Sequence, residues 1–300
     1  ATYRYALSSD SRSGKTPKWM KRLQIIDSTT ITLFSNLLFK GVGRHPKTGK
    51  KKGGIKVHTV IHANEGVPSD IKFTSAATND SFMLKPSTLS KGDIMAMDRA
   101  YIDYEKFEQL TQRGVIYVTK MKKNLKYAIL SDTMYQTPDG LMEVRIQNVE
   151  FTKPKKGGET IRHKSRIITY ADVKKHKLIS LLTNDMDSDP KEIVAIYRQR
   201  WEIELLFKQM KQNFPLKYFY GESANAIKIQ IWVTLIANLL LMVMQKGLSR
   251  KWSFSGLATM VRITLMYYVD FHSLFNNPEK EWEIILSVAS GAPPEPSLFD

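Results

Sequence analysis

The chain contains no cysteine among its 300 residues. This absence excludes disulfide bridges, zinc sites built on thiolates and catalysis by a cysteine nucleophile. Acidic residues are also scarce, since 29 Asp and Glu stand against 45 Lys and Arg, which gives a net charge of +16. Such an excess is typical of proteins that bind a polyanion, either nucleic acid or an anionic membrane surface, and a well-solvated basic surface is the alternative.

Long hydrophobic runs, a signal peptide and internal repeats are missing from the sequence as well. The strongest apolar run, Ile229–Met244, contains Gln230, Thr234 and Asn238 and is shorter than the about 20 residues of a membrane-spanning helix. We therefore predict a buried core helix there, and a soluble, cytoplasmic protein with no membrane partner.

The start at Ala1 rather than Met leads us to expect a trimmed chain, so that an N-terminal domain can be missing from it.

The few acids are unevenly placed. The first 60 residues carry thirteen Lys and Arg but only two acids, Asp10 and Asp27. A single carboxylate in so basic a stretch is a poor solubilising charge. Asp27 is therefore a candidate functional residue before any motif is considered.

The order of predicted elements indicates an α/β fold. Three strands in hairpins are followed by a short helix, a short strand, a helix and another strand, at 24–31, 55–63, 69–74, 82–89, 93–98, 103–113 and 115–119. This order is the opening of a ribonuclease H-like mixed sheet flanked by helices. Asp27 and Asp98 fall where the first and fourth strands end.

We predict five segments along the chain. They are a basic arm or linker at 1–22, the first part of the core at 23–119, a β-rich insertion at 120–185, the second part of the core at 186–270 and a tail at 271–300. The insertion is predicted from alternating apolar and polar residues between Gly, Pro and Lys turns. Residues 120–177 carry fourteen Lys and Arg against six Asp and Glu, so we expect them to face DNA, with an ordinary solvated β face as the alternative.

The most informative predicted helix begins at Pro190, an N1 proline, and runs to about Asn213. At 100° per residue its apolar side chains fall on one face, which we expect to be buried. A narrow polar stripe on another face is formed by Tyr197, Arg200, Glu204 and Lys211. The alternative is an ordinary polar face with a routine salt bridge between residues four apart.

Three acids from distant segments, Asp27, Asp98 and Glu204, can converge at one edge of the sheet. Oxygen-only ligands suit Mg²⁺ or Mn²⁺. Two such ions, about 3.5–4 Å apart, can activate a water or a sugar hydroxyl and stabilise the leaving oxygen of an in-line displacement. Arg200 and Lys211 can then hold the scissile phosphate.

The spacing Tyr197-x2-Arg200-x3-Glu204-x6-Lys211 resembles the Y-x2-R-x3-E-x6-K signature of the insertion sequence 4 family of DDE transposases. Trp201 follows the arginine, as a tryptophan commonly does in that family. Residues 25–30 resemble the family's first-aspartate segment, and residues 97–101 resemble the second, where an alanine stands in the usual place of glycine. The resemblance covers residues 23–245.

This resemblance implies a ribonuclease H-like core that a mainly β insertion interrupts before the last catalytic helix. It implies that two Mg²⁺ or Mn²⁺ ions are bound by Asp27, Asp98 and Glu204. It also implies that phosphates of the transposon ends are contacted by Tyr197, Arg200 and Lys211.

Three further residues carry less certain expectations from the sequence. Trp201 is expected either to stack on a displaced base or to belong to the core. Lys56 is expected on charge grounds to contact a DNA phosphate. His58 is expected to be a satisfied, half-buried histidine rather than a ligand.

The expected activity is cut-and-paste transposition by a homodimer on double-stranded DNA. Water cuts the DNA at the element end, and the freed 3′-OH attacks first the opposite strand, giving a hairpin, and later the target. One alternative is a ribonuclease H-like nuclease or resolvase that does not join strands. Another is an inactive DNA-binding relic, against which the three intact acids argue.

Overall fold

A computed structural model describes residues 17–33, 43–44, 53–136, 143–154, 158–172, 176–265 and 270–280. The strands are β1 (Leu23–Thr32), β2 (Gly43–Arg44), β3 (Gly53–His62), β4 (Val67–Ser75), β5 (Ile94–Met97), β6 (Ile116–Lys120), β7 (Ala128–Gln136), β8 (Glu143–Pro154), β9 (Thr160–Asp172) and β10 (Lys177–Thr183). The α-helices are α1 (Tyr104–Gln112), α2 (Pro190–Gln199), α3 (Trp201–Asn213), α4 (Ala224–Gly247), α5 (Phe254–Thr264) and α6 (Phe271–Asn276). Short 3₁₀ turns span Lys18–Arg22, Asp80–Met83, Pro86–Thr88 and Arg99–Tyr101.

All of these strands belong to one mixed sheet in the order β2-β3-β1-β5-β6-β10-β9-β8-β7, with β4 also paired to β3. Strands β1, β3 and β4 are antiparallel neighbours, whereas β5 is parallel to β1 and β6 is parallel to β5. Three antiparallel strands followed by two parallel ones, in the order β4-β3-β1-β5-β6, form the ribonuclease H-like core. The predicted fold class is confirmed.

Strand β1 has buried residues on both faces because helices cover the sheet on both sides. Leu23 and Ile25 pack in one core with residues of α2, α3 and α4, such as Ile203. Ile26 points to the opposite face and packs in a second core with α1, where Phe107 is buried. Asp27, which alternates with Ile26, therefore faces α2 and α3.

The segment predicted as a β-rich insertion contains the four strands β7 to β10. They extend the core sheet, because β10 pairs antiparallel with β6. Val144 and Ile168 share the core that contains β1. The proposed boundaries of this and the other segments remain predictions.

Two predicted helices differ from the structure. The helix predicted near residues 82–89 is wrong, because two separate 3₁₀ turns stand there and Lys85 between them is extended. Pro86 explains the break, since it lacks an N–H and disfavours a helical residue before it. The helix predicted from Pro190 to Asn213 is interrupted at Arg200, whose N–H bonds the Tyr197 carbonyl at 3.1 Å in a tighter 3₁₀ turn.

The ends of the chain are only partly described. Residues 1–16 and 281–300 of the predicted arm and tail lie outside the described residues. Within the predicted arm or linker at 1–22, Trp19 is only 8% exposed and packs in the core, and the assignment of this segment remains a prediction.

The prediction of a buried core helix holds for one face of α4. Residues such as Ile227 and Ile231 on that face are fully buried, whereas Ile229, Val233 and Ile236 are more than half exposed. Within the described ranges, α4 is the helix whose length and composition would allow it to cross a membrane. Because its buried face packs in the core, this is weak evidence for a membrane span.

A buried polar network joins α1, β6 and β9. The Tyr117 hydroxyl lies 2.7 Å from both His163 Nε2 and Ser165 Oγ, and His163 Nδ1 lies 2.9 Å from Glu108 Oε2. Tyr117, His163 and Ser165 are fully buried. A buried polar group that loses its partner costs free energy, so this network fixes how β9 packs against the core.

We expect Tyr117→Phe to lower the free energy of unfolding by about 1–3 kcal/mol, because His163 Nε2 and Ser165 Oγ lose a buried partner. Urea unfolding followed by circular dichroism measures the change. Tyr220→Phe is the matched control, since Tyr220 is 94% exposed, and its effect should be close to zero. Equal effects of the two substitutions would show that the network contributes nothing to stability.

Candidate active site

Asp27 and Asp98 are brought together by the parallel pairing of β1 and β5. The register runs from Leu23 opposite Ile94 to Ile26 opposite Met97, so the two aspartates are the next residues on neighbouring strands. Each carboxylate is also held locally. Asp27 Oδ1 accepts the Ser28 N–H at 2.8 Å, and Asp98 Oδ1 accepts the Ala100 N–H at 2.9 Å.

Arg200 connects this strand edge to α3. Its Nη2 lies 2.6 Å from Glu204 Oε1 and its Nη1 lies 3.7 Å from Asp27 Oδ2. The two carboxylates therefore lie on either side of one planar guanidinium. The Arg200 side chain is only 14% exposed, and its Nε is buried with no hydrogen-bond partner among the described residues.

The pKa of Asp27 reports the electrostatics of this cluster. This pKa is raised to about 6, chiefly by burial and to a smaller extent by the neighbouring Asp98 and Glu204 carboxylates. The Ser28 N–H and the Arg200 guanidinium act in the opposite direction but do not cancel the increase. The protein therefore does not fully offset the cost of a buried negative charge at Asp27.

Within the described ranges, no three Asp, Glu or His side chains stand close enough to form a complete metal-binding group. The guanidinium of Arg200 explains this, because it lies between Asp27 and Glu204. The donor chemistry nevertheless fits a hard divalent cation, since all donors are carboxylate oxygens. The uncompensated charge at Asp27 favours the same kind of ion. Asp27, Asp98 and Glu204 remain the predicted ligands.

Tyr197 lies beside Arg200 at the end of α2. The Arg200 Cζ is 5.5 Å from the centre of the Tyr197 ring. Burial raises the pKa of Tyr197 and Arg200 lowers it, while the Asp98 and Glu204 carboxylates raise it to a smaller extent. The phenol is thus part of the same cluster as the acids, although its contact with DNA remains a prediction.

Lys211 lies farther along α3 than Glu204. It is exposed and lines a recess with Thr30, Thr32 and Lys217. The surrounding protein desolvates its ammonium and lowers its pKa. The recess lies at the Thr32 end of β1.

Trp201 is 56% exposed, so the expectation that it could belong to the core is wrong. The interruption at Arg200 places it at the start of α3. Its stacking on a displaced base remains a prediction.

Lys56 and His58 lie on β3, on the face of the sheet opposite to Asp27. The Lys56 Nζ donates to the Thr78 carbonyl at 2.6 Å and lies 3.2 Å from Asp80 Oδ1, with 11% of the side chain exposed. This ammonium points into the protein, which does not support the predicted contact with a phosphate. His58 is fully buried rather than half-buried, and burial lowers its pKa to about 4.

Asp80 and Tyr101 are the residues near the acids that sequence reasoning missed as parts of the site. The Ser28 hydroxyl donates to Asp80 Oδ1 at 2.6 Å. Tyr101 is fully buried, and burial followed by the Asp27 and Asp80 carboxylates raises its pKa. The alternation of Lys56 and His58, which places both on one face of β3, was the signal in the sequence for a polar cluster. The strand register that places His58 opposite Ser28 is not visible in the sequence.

The family model described as the transposase DDE domain matches residues 18–240. Because this match covers most of the chain, the chain belongs to the transposase DDE domain family. This membership confirms the resemblance to the insertion sequence 4 family at the level of the DDE domain. DDE transposases depend in general on a divalent metal, in agreement with the donor chemistry of the three acids.

Two curated relatives are named as transposases. A Sinorhizobium fredii protein named as the transposase y4zB is 28% identical over 74% of this chain and 60% of its own length. A Geobacillus stearothermophilus protein named as the transposase of insertion sequence element IS5377 is 25% identical over 75% of this chain and 57% of its own length. The chain thus spans less than two thirds of these relatives.

One solved structure with a detectable similarity is the piggyBac transposase synaptic complex with hairpin DNA. The TM-score is 0.48 at 11% identity, over 94% of this chain and 59% of that chain. This is a distant similarity, and the ribonuclease H-like core is defined here by the strand order of the chain itself.

We expect the pH dependence of stability to reveal the raised pKa of Asp27. A carboxyl group whose pKa is about 6 in the folded state contributes stability that is fully present below its unfolded pKa and is lost as the pH rises through 6. Asp27→Asn removes this titration, so the variant should gain about 2–3 kcal/mol relative to wild type between pH 4 and pH 7. Urea unfolding in EDTA at both pH values measures this, and parallel behaviour of the two proteins would contradict it.

Proposed function

We propose that this chain is the catalytic core of a transposase that cuts DNA at the ends of an insertion sequence and joins them to a target. The observation that supports this most directly is the gathering of Asp27 and Glu204 around Arg200, with Asp98 on the neighbouring strand. This arrangement lies in a ribonuclease H-like core whose family is that of transposase DDE domains.

We infer that Asp27, Asp98 and Glu204 would hold two Mg²⁺ or Mn²⁺ ions. When bound, such ions supply an activated water or 3′-hydroxyl and stabilise the leaving oxygen of the phosphodiester. Arg200 carries two roles in this proposal. In the metal-free protein it offsets the charge of Asp27 and Glu204, and in the DNA complex it turns its unpaired Nε and its terminal nitrogens to a phosphate.

The remaining contacts with DNA follow from position and charge. Lys211 and Lys217 line one recess at the Thr32 end of β1 and would bind backbone phosphates of the transposon end. Tyr197, beside Arg200, would donate its hydroxyl to the phosphate next to the cut. Trp201 is exposed at the start of α3 and would stack on a base displaced from the duplex.

The complete reaction involves more than one chain and more than one step. Because two ends must be cut and joined together, we propose a homodimer on double-stranded DNA, acting in the bacterial cytoplasm on the nucleoid. The 3′-OH would attack the opposite strand to give a hairpin before it attacks the target. These proposals concern the whole protein, because this chain covers only 60% and 57% of the length of the two relatives described above.

Substitutions in α3 should separate chemistry from binding. Glu204→Gln keeps the shape but removes one ligand charge, so cleavage should fall by about two orders of magnitude or more, since several kcal/mol of transition-state stabilisation are lost. Binding to the end duplex should remain.

Lys211→Ala should instead weaken binding and lower the slope of log K against log salt by roughly one unit. Arg200→Ala should do the same.

Binding of duplexes that carry the element's inverted repeats is measured against salt for each variant, together with Mg²⁺-dependent cleavage and joining of pre-cut ends. Lys91→Ala is the matched control, because Lys91 is exposed and lies before β5, at the opposite end of that strand from Asp98. Its salt slope should equal that of wild type. Normal cleavage by Glu204→Gln would overturn the assignment of the acids, and cleavage without joining by wild type would identify a nuclease instead.

A further inference from the structure

A second polar cluster lies directly behind Asp27, on the other face of β1. Successive residues of a strand point to opposite faces, so Ser28 points away from the side that Asp27 occupies. There the Ser28 hydroxyl donates to Asp80 Oδ1 at 2.6 Å. Asp80 comes from the 3₁₀ turn that follows β4, 52 residues along the chain from Ser28.

Asp80 is itself held firmly. Lys56 Nζ lies 3.2 Å from the same Oδ1, and that ammonium also donates to the Thr78 carbonyl at 2.6 Å. His58, which is opposite Ser28 in the β1–β3 register, lies 3.9 Å away through its Nδ1. The Asp80 side chain is 22% exposed, and these contacts leave it little freedom to move.

Ser28 transmits this constraint to the acids. Its backbone N–H donates to Asp27 Oδ1 at 2.8 Å, while its side chain is held by Asp80. One residue thus bonds to both carboxylates, one on each face of the strand. Metal ligands are generally oriented by such outer hydrogen bonds, and the loss of an outer partner typically weakens metal binding by about 10–100-fold.

We propose that Asp80 is a positioning residue that fixes the Asp27 carboxylate for metal binding through Ser28. The inference rests on the proposed function, because it assigns a role toward the same metal site. Asp80 is not a ligand itself, since its Oδ1 is used by Ser28 and Lys56 on the opposite face of β1. The Asp27 carboxylate is therefore oriented by a fourth acid, Asp80, which does not touch the reacting atoms.

The test is a titration with Mn²⁺, followed by electron paramagnetic resonance, on the protein alone and on its complex with the end duplex. Asp80→Ala and Ser28→Ala each keep the Ser28 N–H but free this residue from its bond across β1, so each should weaken Mn²⁺ binding by up to about tenfold, the lower end of the range for a lost outer partner. Ser28→Thr keeps the hydroxyl and should bind Mn²⁺ as wild type does. The double variant Ser28→Ala/Asp80→Ala should be no weaker than either single variant, because both remove one and the same link.

Asp70→Ala is the matched control. Asp70 forms a similar aspartate–lysine pair with Lys72 at 3.6 Å on the neighbouring β4, and it is about half exposed. Its removal should leave Mn²⁺ binding unchanged. Melting temperature and end-duplex binding in EDTA, measured for every variant, show how much of each effect comes from folding alone.

Two outcomes distinguish the two claims. If wild type binds Mn²⁺, Asp27→Asn does not, and Asp80→Ala and Ser28→Ala both bind with wild-type affinity, then the positioning role is wrong and the proposed metal site stands. If Asp27→Asn binds Mn²⁺ as well as wild type does, the proposed function itself fails. A fall in melting temperature without a fall in Mn²⁺ affinity would show that Asp80 is only a structural ion-pair partner.

Discussion

Burial of carboxylates close enough to repel one another is the constraint around which the site is organised. Asp27 shows its effect most clearly, because burial and its acidic neighbours together raise its pKa to about 6. The protein offsets this repulsion with a single guanidinium, that of Arg200, which contacts Asp27 and Glu204 at once. Arg200, for which we propose phosphate binding in the DNA complex, can in this way keep the acids together before metal and DNA arrive.

The sheet makes this convergence possible. Parallel pairing of β1 with β5 ends at Ile26 and Met97, so Asp27 and Asp98, which follow these residues, become neighbours. The helical interruption at Arg200 then divides the Pro190–Asn213 segment, so that Tyr197 ends one helix and Glu204 lies in the first turn of the next. On the opposite face of β1, Ser28 and Asp80 hold the strand at the point where it presents Asp27.

Much of this was visible in the sequence because it depends on local patterns. Asp98 follows a short apolar strand, Asp27 is one of two acids in a basic stretch, and the stripe containing Glu204 follows from helical periodicity. The prediction that the first strand ends at Asp27 is wrong, because β1 continues to Thr32. Contacts between distant segments were not visible, since neither the register opposite Ser28 nor the turn that carries Asp80 has a periodic signal. Lys56 shows the consequence, because its charge predicted a phosphate contact whereas tertiary structure gives it an aspartate.

The central claim is that Asp27, Asp98 and Glu204 form one divalent-metal site once Arg200 has moved. Anomalous X-ray diffraction from crystals of the protein with its end duplex and Mn²⁺ tests this most directly. We expect two Mn²⁺ peaks about 3.5–4 Å apart at the Asp27, Asp98 and Glu204 carboxylates, with Arg200 turned to a phosphate. The absence of Mn²⁺ at these acids, with Arg200 still bonded to Asp27 and Glu204 in the DNA complex, would contradict the account.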